Sequence, residues 1–255
     1  MARIVILGAG IAGHTVARYL GKWIGKQHQV IVVSPRPTWN WVPSNIWVGV
    51  GEMTEPQVSF ELAPLYQKLN IDFRLAGALS IHPEGDAEHA KPFEDWRARD
   101  WPRTYQNPTY PNLFAVGIAF APPHAISKPM KSRNGTPINP TAPRTGMPSA
   151  AMGKAVAASI RDMLKGAPAP THTASMAEAG AVCVASTGAH LFKGSAASIT
   201  VFRVVPDRDT YPQYGRDIDL TFFEVGLAGH WMKFLLHHVF IYQANLRPGW
   251  SLLPD

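Results

Sequence analysis

Residues 3–13 read Arg3-Ile-Val-Ile-Leu-Gly8-Ala-Gly10-Ile-Ala-Gly13, and the chain continues through His14-Thr-Val-Ala-Arg-Tyr-Leu20 to Val30-Ile-Val-Val33. A short apolar run, a glycine turn, an amphipathic stretch and a second apolar run predict a strand, a helix and a parallel strand. Gly8, Gly10 and Gly13 form G-x-G-x-x-G with strand before and helix after, the context that gives this pattern meaning. Gly8 permits the tight turn, Gly10 admits a pyrophosphate close to the backbone, and Gly13 allows helix and strand to touch. The helix that follows offers free N–H groups and the positive end of its dipole to an anion. Gly8, Gly10, Ile11, Ala12 and Gly13 are therefore the first candidate binding residues. The bland reading is a strand–helix–strand unit whose glycines only shape a turn.

The remaining composition narrows the class. The chain has 255 residues, 46% hydrophobic and 16% charged, enough for a sizeable core. Cys183 is its one cysteine, so no internal disulfide can form, and a reducing compartment is expected. The first strand begins at residue 3, so no signal peptide is expected. No run of 18 apolar residues occurs to span a bilayer. The expected location is cytoplasmic, or peripherally bound to the cell membrane.

The net charge of +6 is unevenly spread. Residues 1–51 contain no Asp or Glu, 52–100 hold ten acids against five bases, and 101–161 again hold no acid. Two acid-free blocks suggest two surfaces that meet an anion. The basic residues are sparse and interleaved with proline, which argues against nucleic acid. A homo-oligomer is left open.

Further along, Trp39, Trp41 and Trp47 crowd a proline-bounded loop that should cover a ligand or the core. Residues 57–69 read as a short helix interrupted near Pro64, and 71–73 as a third strand. Residues 76–111 lack periodicity. His82, Glu84, Asp86 and His89 lie there, and a solvated segment is the expectation rather than a metal site. Residues 112–117 predict an apolar strand ending in Gly117, and 149–165 a helix stopped by Gly166, with Met152, Val156, Ile160 and Leu164 on one face. That helix start is a second candidate anion site. Residues 181–185 predict a buried strand holding Cys183, and 199–205 with 218–223 an antiparallel pair. Residues 226–244 predict a helix that is apolar nearly all round, with Lys233 its single charge and His230, His237 and His238 as polar tips. Such a helix suits a membrane interface or a protein core equally.

Taken in order, these pieces resemble the sulfide:quinone oxidoreductase family, within the FAD-dependent pyridine nucleotide-disulfide oxidoreductase class. The resemblance rests on the glycine turn, Trp41–Gly51, Asn107–Gly117, the Thr145-Gly-Met-Pro148 turn, and Gly229-His-Trp-Met-Lys233 with Pro248–Pro254. It implies an α/β fold in which a Rossmann-like FAD-binding domain is assembled from two sequence halves. A C-terminal region of antiparallel strands and an amphipathic helix follows. The expected domains are 1–166 for FAD and 167–255 for quinone and membrane, with 73–107 a short connection where the family has a second nucleotide-binding domain. The pyrophosphate would lie on the first glycine turn, and Ser34, Pro35 and Arg36 would stand at the adenosine end. Gly117 and Ile118 would lie along the ribityl chain, and Thr145, Gly146 and Met147 would face the isoalloxazine ring. The C-terminal region would hold the quinone and touch the membrane surface through residues 226–243.

The resemblance implies oxidation of sulfide through cysteine sulfurs and flavin, then electron transfer to a quinone. This chain departs from the pattern in four places. The central domain is missing, Ser34 stands for an acid, Ile118 stands for an aspartate, and the cysteine pair is reduced to Cys183. One family cysteine position falls near His172. Cys183 is left as the only candidate catalytic thiol, and a small buried hydrophobe is its plainer role. The alternatives are a non-enzymatic, FAD-binding or membrane-associated relative, and an NAD(P)H reductase in which Arg36 reads a phosphate.

Overall fold

The computed structural model describes residues 1–24, 27–78, 97–120, 126, 130–138 and 146–253. In chain order these form β1 (Arg3–Leu7), α1 (Ile11–Ile24), β2 (Gln29–Ser34), β3 (Thr38–Asn40), α2 (Asn45–Gly49), α3 (Glu55–Val58), β4 (Ser59–Glu61), α4 (Ala63–Lys68) and β5 (Asp72–Leu75). After them come β6 (Met130–Lys131), β7 (Pro137–Ile138), α5 (Gly146–Leu164), β8 (Gly180–His190), β9 (Lys193–Phe202), β10 (Phe222–Gly226) and α6 (Leu227–Ala244).

The opening unit folds as its pattern predicts. β1, β2 and β5 form a parallel sheet in that order, with Val5 opposite Ile31 and Val32 opposite Phe73. Parallel strands need a crossover, and α1 supplies it. Val16, Leu20 and Ile24 of α1 pack with Ile6, Val30 and Val32 of the sheet. α5 lies along the other side of α1. The two helices run in the same direction: Gly153 meets Ala12 and Thr15, Lys154 meets Tyr19, and Arg161 meets Trp23. The approach is close because a Cβ on Gly153 would stand 2.7 Å from the Ala12 carbonyl oxygen.

The tryptophan loop joins the core. Trp39, Trp41 and Trp47 are buried, Trp39 stacks on Phe60, and Trp41 stacks on Phe240 of α6 at 4.5 Å. One apolar cluster thus runs from Ile6 through Trp41 and Ala157 to Phe240 and Trp250, with residues from both sides of position 166. A second cluster gathers Trp101, Tyr105, Phe120, Met152, Val156, Val204 and Val205.

Several expectations are corrected. Residues 57–69 are not one interrupted helix. α3 ends at Val58, β4 pairs antiparallel with β3, and α4 restarts with Pro64 in its first turn, where no N–H is needed. Residues 112–117 form no strand. They fold back on 105–107 through a single bridge between Gln106 and Phe114, because Pro108 and Pro111 close a tight loop between them. Residues 181–185 are not buried. They belong to β8, the edge of an antiparallel sheet ordered β10-β9-β8. The pair foreseen at 199–205 and 218–223 exists between β9 and β10 but starts at Phe222, with Phe223 opposite Ile199. α5 starts earlier than foreseen, at Gly146.

Candidate functional site

The glycine turn is fixed from both sides. The Gly8 N–H donates to the Val33 carbonyl at 2.8 Å, and the His14 N–H donates to the Gly10 carbonyl at 2.8 Å. Gly8 has φ +92°, a backbone state that a side chain would strain. A Cβ on Gly13 would sit 2.1 Å from the Gly8 carbonyl oxygen, so the turn closes only around glycine. Gly10 faces open space, with nothing within 4 Å of a Cβ placed there. The turn therefore combines a packed floor with a free rim.

Gly117 belongs to the same neighbourhood. Its φ is +64°, and a Cβ there would meet the Ala12 side chain at 3.0 Å and the Ser149 hydroxyl at 3.4 Å. Ser149 lies in the first turn of α5, which starts at Gly146. Because α1 and α5 run in the same direction, their N-termini lie at one end, with Gly117 between them. Two positive dipole ends and a glycine rim at one spot favour an extended anion. Met147 is 44% exposed and Ile118 81% exposed, so both rim side chains are open to a ligand. Thr145 lies outside the described residues. The structure brings together Gly8, Gly10, Ile11, Ala12, Gly13, Gly117, Ile118, Gly146 and Met147.

At the end of β2 the Ser34 hydroxyl is turned onto its own loop. It accepts from the Arg36 N–H at 3.3 Å and donates to the Arg36 carbonyl at 3.1 Å. Pro35 and Arg36 are exposed. This turn presents no carboxylate to a ribose.

The polar residues His230, Lys233 and His237 of α6, given no place at the site from the sequence, are buried and form a row that leads to this end of the molecule. His230 bonds Ser186 at 2.9 Å and the His190 carbonyl at 2.7 Å. The Lys233 ammonium donates to the Pro43 carbonyl and stands over Trp47. His237 bonds the Ser44 hydroxyl at 2.9 Å. Burial, then the neighbouring His238 and Lys233 charges, lower its pKa to about 4. Burial also lowers the pKa of Lys233. Pro43 is the link to the glycine rim, since it and Trp41 lie within 3.8 Å of a Cβ placed on Gly146. A buried cation is thus one residue removed from the start of α5. The single charge in an otherwise apolar helix was the signal available in the sequence.

His14 closes the network at the other end of α6. Its Nε2–H donates to the Ala244 carbonyl at 2.9 Å, which leaves Nδ1 to accept from the Tyr66 hydroxyl at 3.0 Å. Burial lowers its pKa to about 3.

Cys183 departs from expectation. It is exposed, opposite Ile199, on the sheet face away from α6. α6 covers the other face, through Ser186, Ala196 and Ser198. His172 bonds Asp162 at 2.9 Å and lines a groove of about 420 Å³ on the flank of α5 with Trp23, Lys154 and Arg161. Arg161 is already engaged by Asp162 and Trp23. The cluster His82, Glu84, Asp86 and His89 lies outside the described residues, and among the described residues no group of three or more metal-ligating side chains occurs.

No family model matches the chain. A solved structure does: the sulfide:quinone oxidoreductase from the hyperthermophilic bacterium Aquifex aeolicus. The TM-score is 0.70 at 15% identity, covering 99% of this chain and 94% of that one. The chain shares that oxidoreductase's fold. At this identity the likeness speaks for the fold, and function must be argued from the site.

Proposed function

We propose that the chain is an FAD-dependent oxidoreductase working at a membrane surface, with a quinone as electron acceptor. The observation that carries this is the meeting of the Gly8–Gly13 turn, Gly117 and the start of α5 at one end of two parallel helices. The residues fit the pyrophosphate part of the cofactor, because Gly10 leaves open space where a side chain would stand and both helix N-termini supply positive ends. Gly8, Gly10, Ile11, Ala12 and Gly13 would hold the pyrophosphate, Gly117 and Ile118 the ribityl chain, and Thr145, Gly146 and Met147 the ring. Ser34, Pro35 and Arg36 would lie along the adenosine through their backbone, since the Ser34 hydroxyl is committed to Arg36. When bound, FAD would supply two-electron chemistry to a site whose charges the protein sets. Lys233, buried beside Pro43, would place a positive charge near the ring end.

The outer surface of α6 supports the membrane role. Its buried stripe is largely polar, with His230, Lys233, His237 and Gln243, whereas Leu227, Trp231, Met232, Leu235 and Tyr242 are exposed. Leu191 and Phe192 of the β8–β9 turn extend this apolar surface, with the Trp231 indole donating to the Leu191 carbonyl at 2.8 Å. A helix with its apolar stripe facing out suits the lipid interface. Among the described residues no helix is long and apolar enough to cross a membrane. Sulfide as donor is not part of this reading, because the chain holds one cysteine and so cannot form the intramolecular cysteine pair that such a relay needs.

The test is direct. Purified protein titrated with FAD should acquire a bound-flavin absorption spectrum, and a short-chain quinone should reoxidise the protein after chemical reduction. Protein that stays colourless with excess FAD sinks the proposal. Flavin that binds but is never reoxidised by quinone would point to the non-enzymatic relative.

A further inference from the structure

The two edges of the antiparallel sheet are unlike. β10 is five residues long and carries Glu224, a short and charged edge of the kind that discourages pairing. β8 runs for eleven residues, Gly180-Ala-Val-Cys-Val-Ala-Ser-Thr-Gly-Ala-His190, with no proline, lysine, arginine or acid. Among the described residues it pairs on one side only, with β9. The Ala189 N–H is taken by the Glu52 carboxylate at 3.3 Å, and along residues 180–186 the uncharged edge presents a row of N–H and C=O groups ready for another strand.

We propose that two copies of this chain pair edge to edge through β8, antiparallel about a two-fold axis, to form one six-stranded sheet. Directly opposite residues in an antiparallel ladder must share a face, so the axis passes through a residue rather than between two. An axis at Cys183 sets Val182 against Val184 of the partner subunit and Ala181 against Ala185 of the partner subunit. It also confines pairing to residues 180–186, short of the register slip that begins at Thr187. An axis at Val184 would instead oppose Val182 to a serine and Ala181 to a threonine, and would run into that slip. Seven paired residues span about 24 Å.

The choice of a second copy, rather than a foreign peptide, rests on the membrane reading. A two-fold axis normal to the sheet keeps both α6 helices on the same side, so both apolar stripes meet one membrane plane. A face-to-face dimer through Cys183, Ile199, Phe223 and Val225 would turn the two stripes in opposite directions. The edge dimer leaves Cys183 and its partner copy adjacent, within reach of a disulfide.

The experiment uses the full chain in detergent-free buffer at tens of micromolar. Analytical ultracentrifugation should give a dimer, and mild oxidation should convert it to a disulfide-linked dimer on a non-reducing gel. Cys183→Ser should remain dimeric and lose the cross-link. Cys183→Lys places two ammonium groups opposite each other at an exposed position and should sediment as a folded monomer. Cys183→Glu, which sets two carboxylates opposite each other, is the second variant if the first does not fold, and should also lose the dimer peak. A monomeric wild-type chain, a dimer that yields no cross-link, or a dimer that survives both charged variants overturns the proposal. Leu235→Glu should weaken vesicle binding roughly tenfold yet stay dimeric, so failure of the dimer and failure of the membrane reading are read separately.

Discussion

Gly13 shows how little space the turn allows. Its missing Cβ would lie 2.1 Å from the Gly8 carbonyl oxygen, far inside contact distance, and a backbone atom cannot swing aside like a side chain. Gly13→Ala should therefore cost about 1–3 kcal/mol, in the range of an overpacked core, measured by urea denaturation. The same variant should abolish the flavin spectrum, whereas Gly10→Ala, which meets nothing within 4 Å, should fold normally and weaken FAD only. His14 makes a second residue-scale case. Its pKa is about 3 and that of His237 about 4, both below the ordinary 6.5. Such a histidine takes up a proton on unfolding, so stability is full above pH 6.5, falls as pH drops, and levels off near the folded values. The slope for His14 alone should approach about 1.4 kcal/mol per pH unit. Denaturation curves at pH 5 and pH 7 check this, and His14→Phe should flatten the difference by about one proton even if the variant is less stable.

At the level of elements, α6 could not be placed from its sequence. A helix apolar nearly all round carries no directional signal, so core and interface readings stood level. The structure turns His230, Lys233 and His237 inward because Ser186, Ser44 and the Pro43 and His190 carbonyls offer them partners. What remains outside, His238 apart, is an apolar stripe. Leu235, 63% exposed, lies within it, so Leu235→Glu should leave the thermal melt unchanged. Removing its burial in lipid should lower vesicle partitioning by roughly tenfold, measured by co-flotation. The opening strand–helix–strand unit was legible because period and glycine spacing are local. The pairing of β3 with β4 was not, since the helix-like run 57–69 is broken by a contact with Trp39 many residues away. The exposure of Cys183 is illegible in the sequence for a related reason. An apolar strand reads as buried whichever side its neighbours cover, and here α6 covers only one face.

On the scale of the whole molecule, the candidate site belongs to no single stretch. The glycine turn lies at residues 8–13, its neighbour at 117 and the second helix start at 146, while Pro43 ties this group to Lys233. Contacts this far apart in sequence close large loops, and forming them opposes chain entropy. An anion lying across all of them would hold the loops together, so FAD should stabilise the folded state by binding it and not the unfolded chain. At a concentration one hundred times its dissociation constant the gain is about 2.7 kcal/mol. For a chain of this size that corresponds to a rise in Tm of roughly 5–10 °C. ADP should give a smaller rise by occupying the pyrophosphate end alone, and Gly13→Ala should give none with either compound. A full rise with ADP would mean that Gly117 and the start of α5 take no part, which would restrict the site to the turn at Gly8–Gly13.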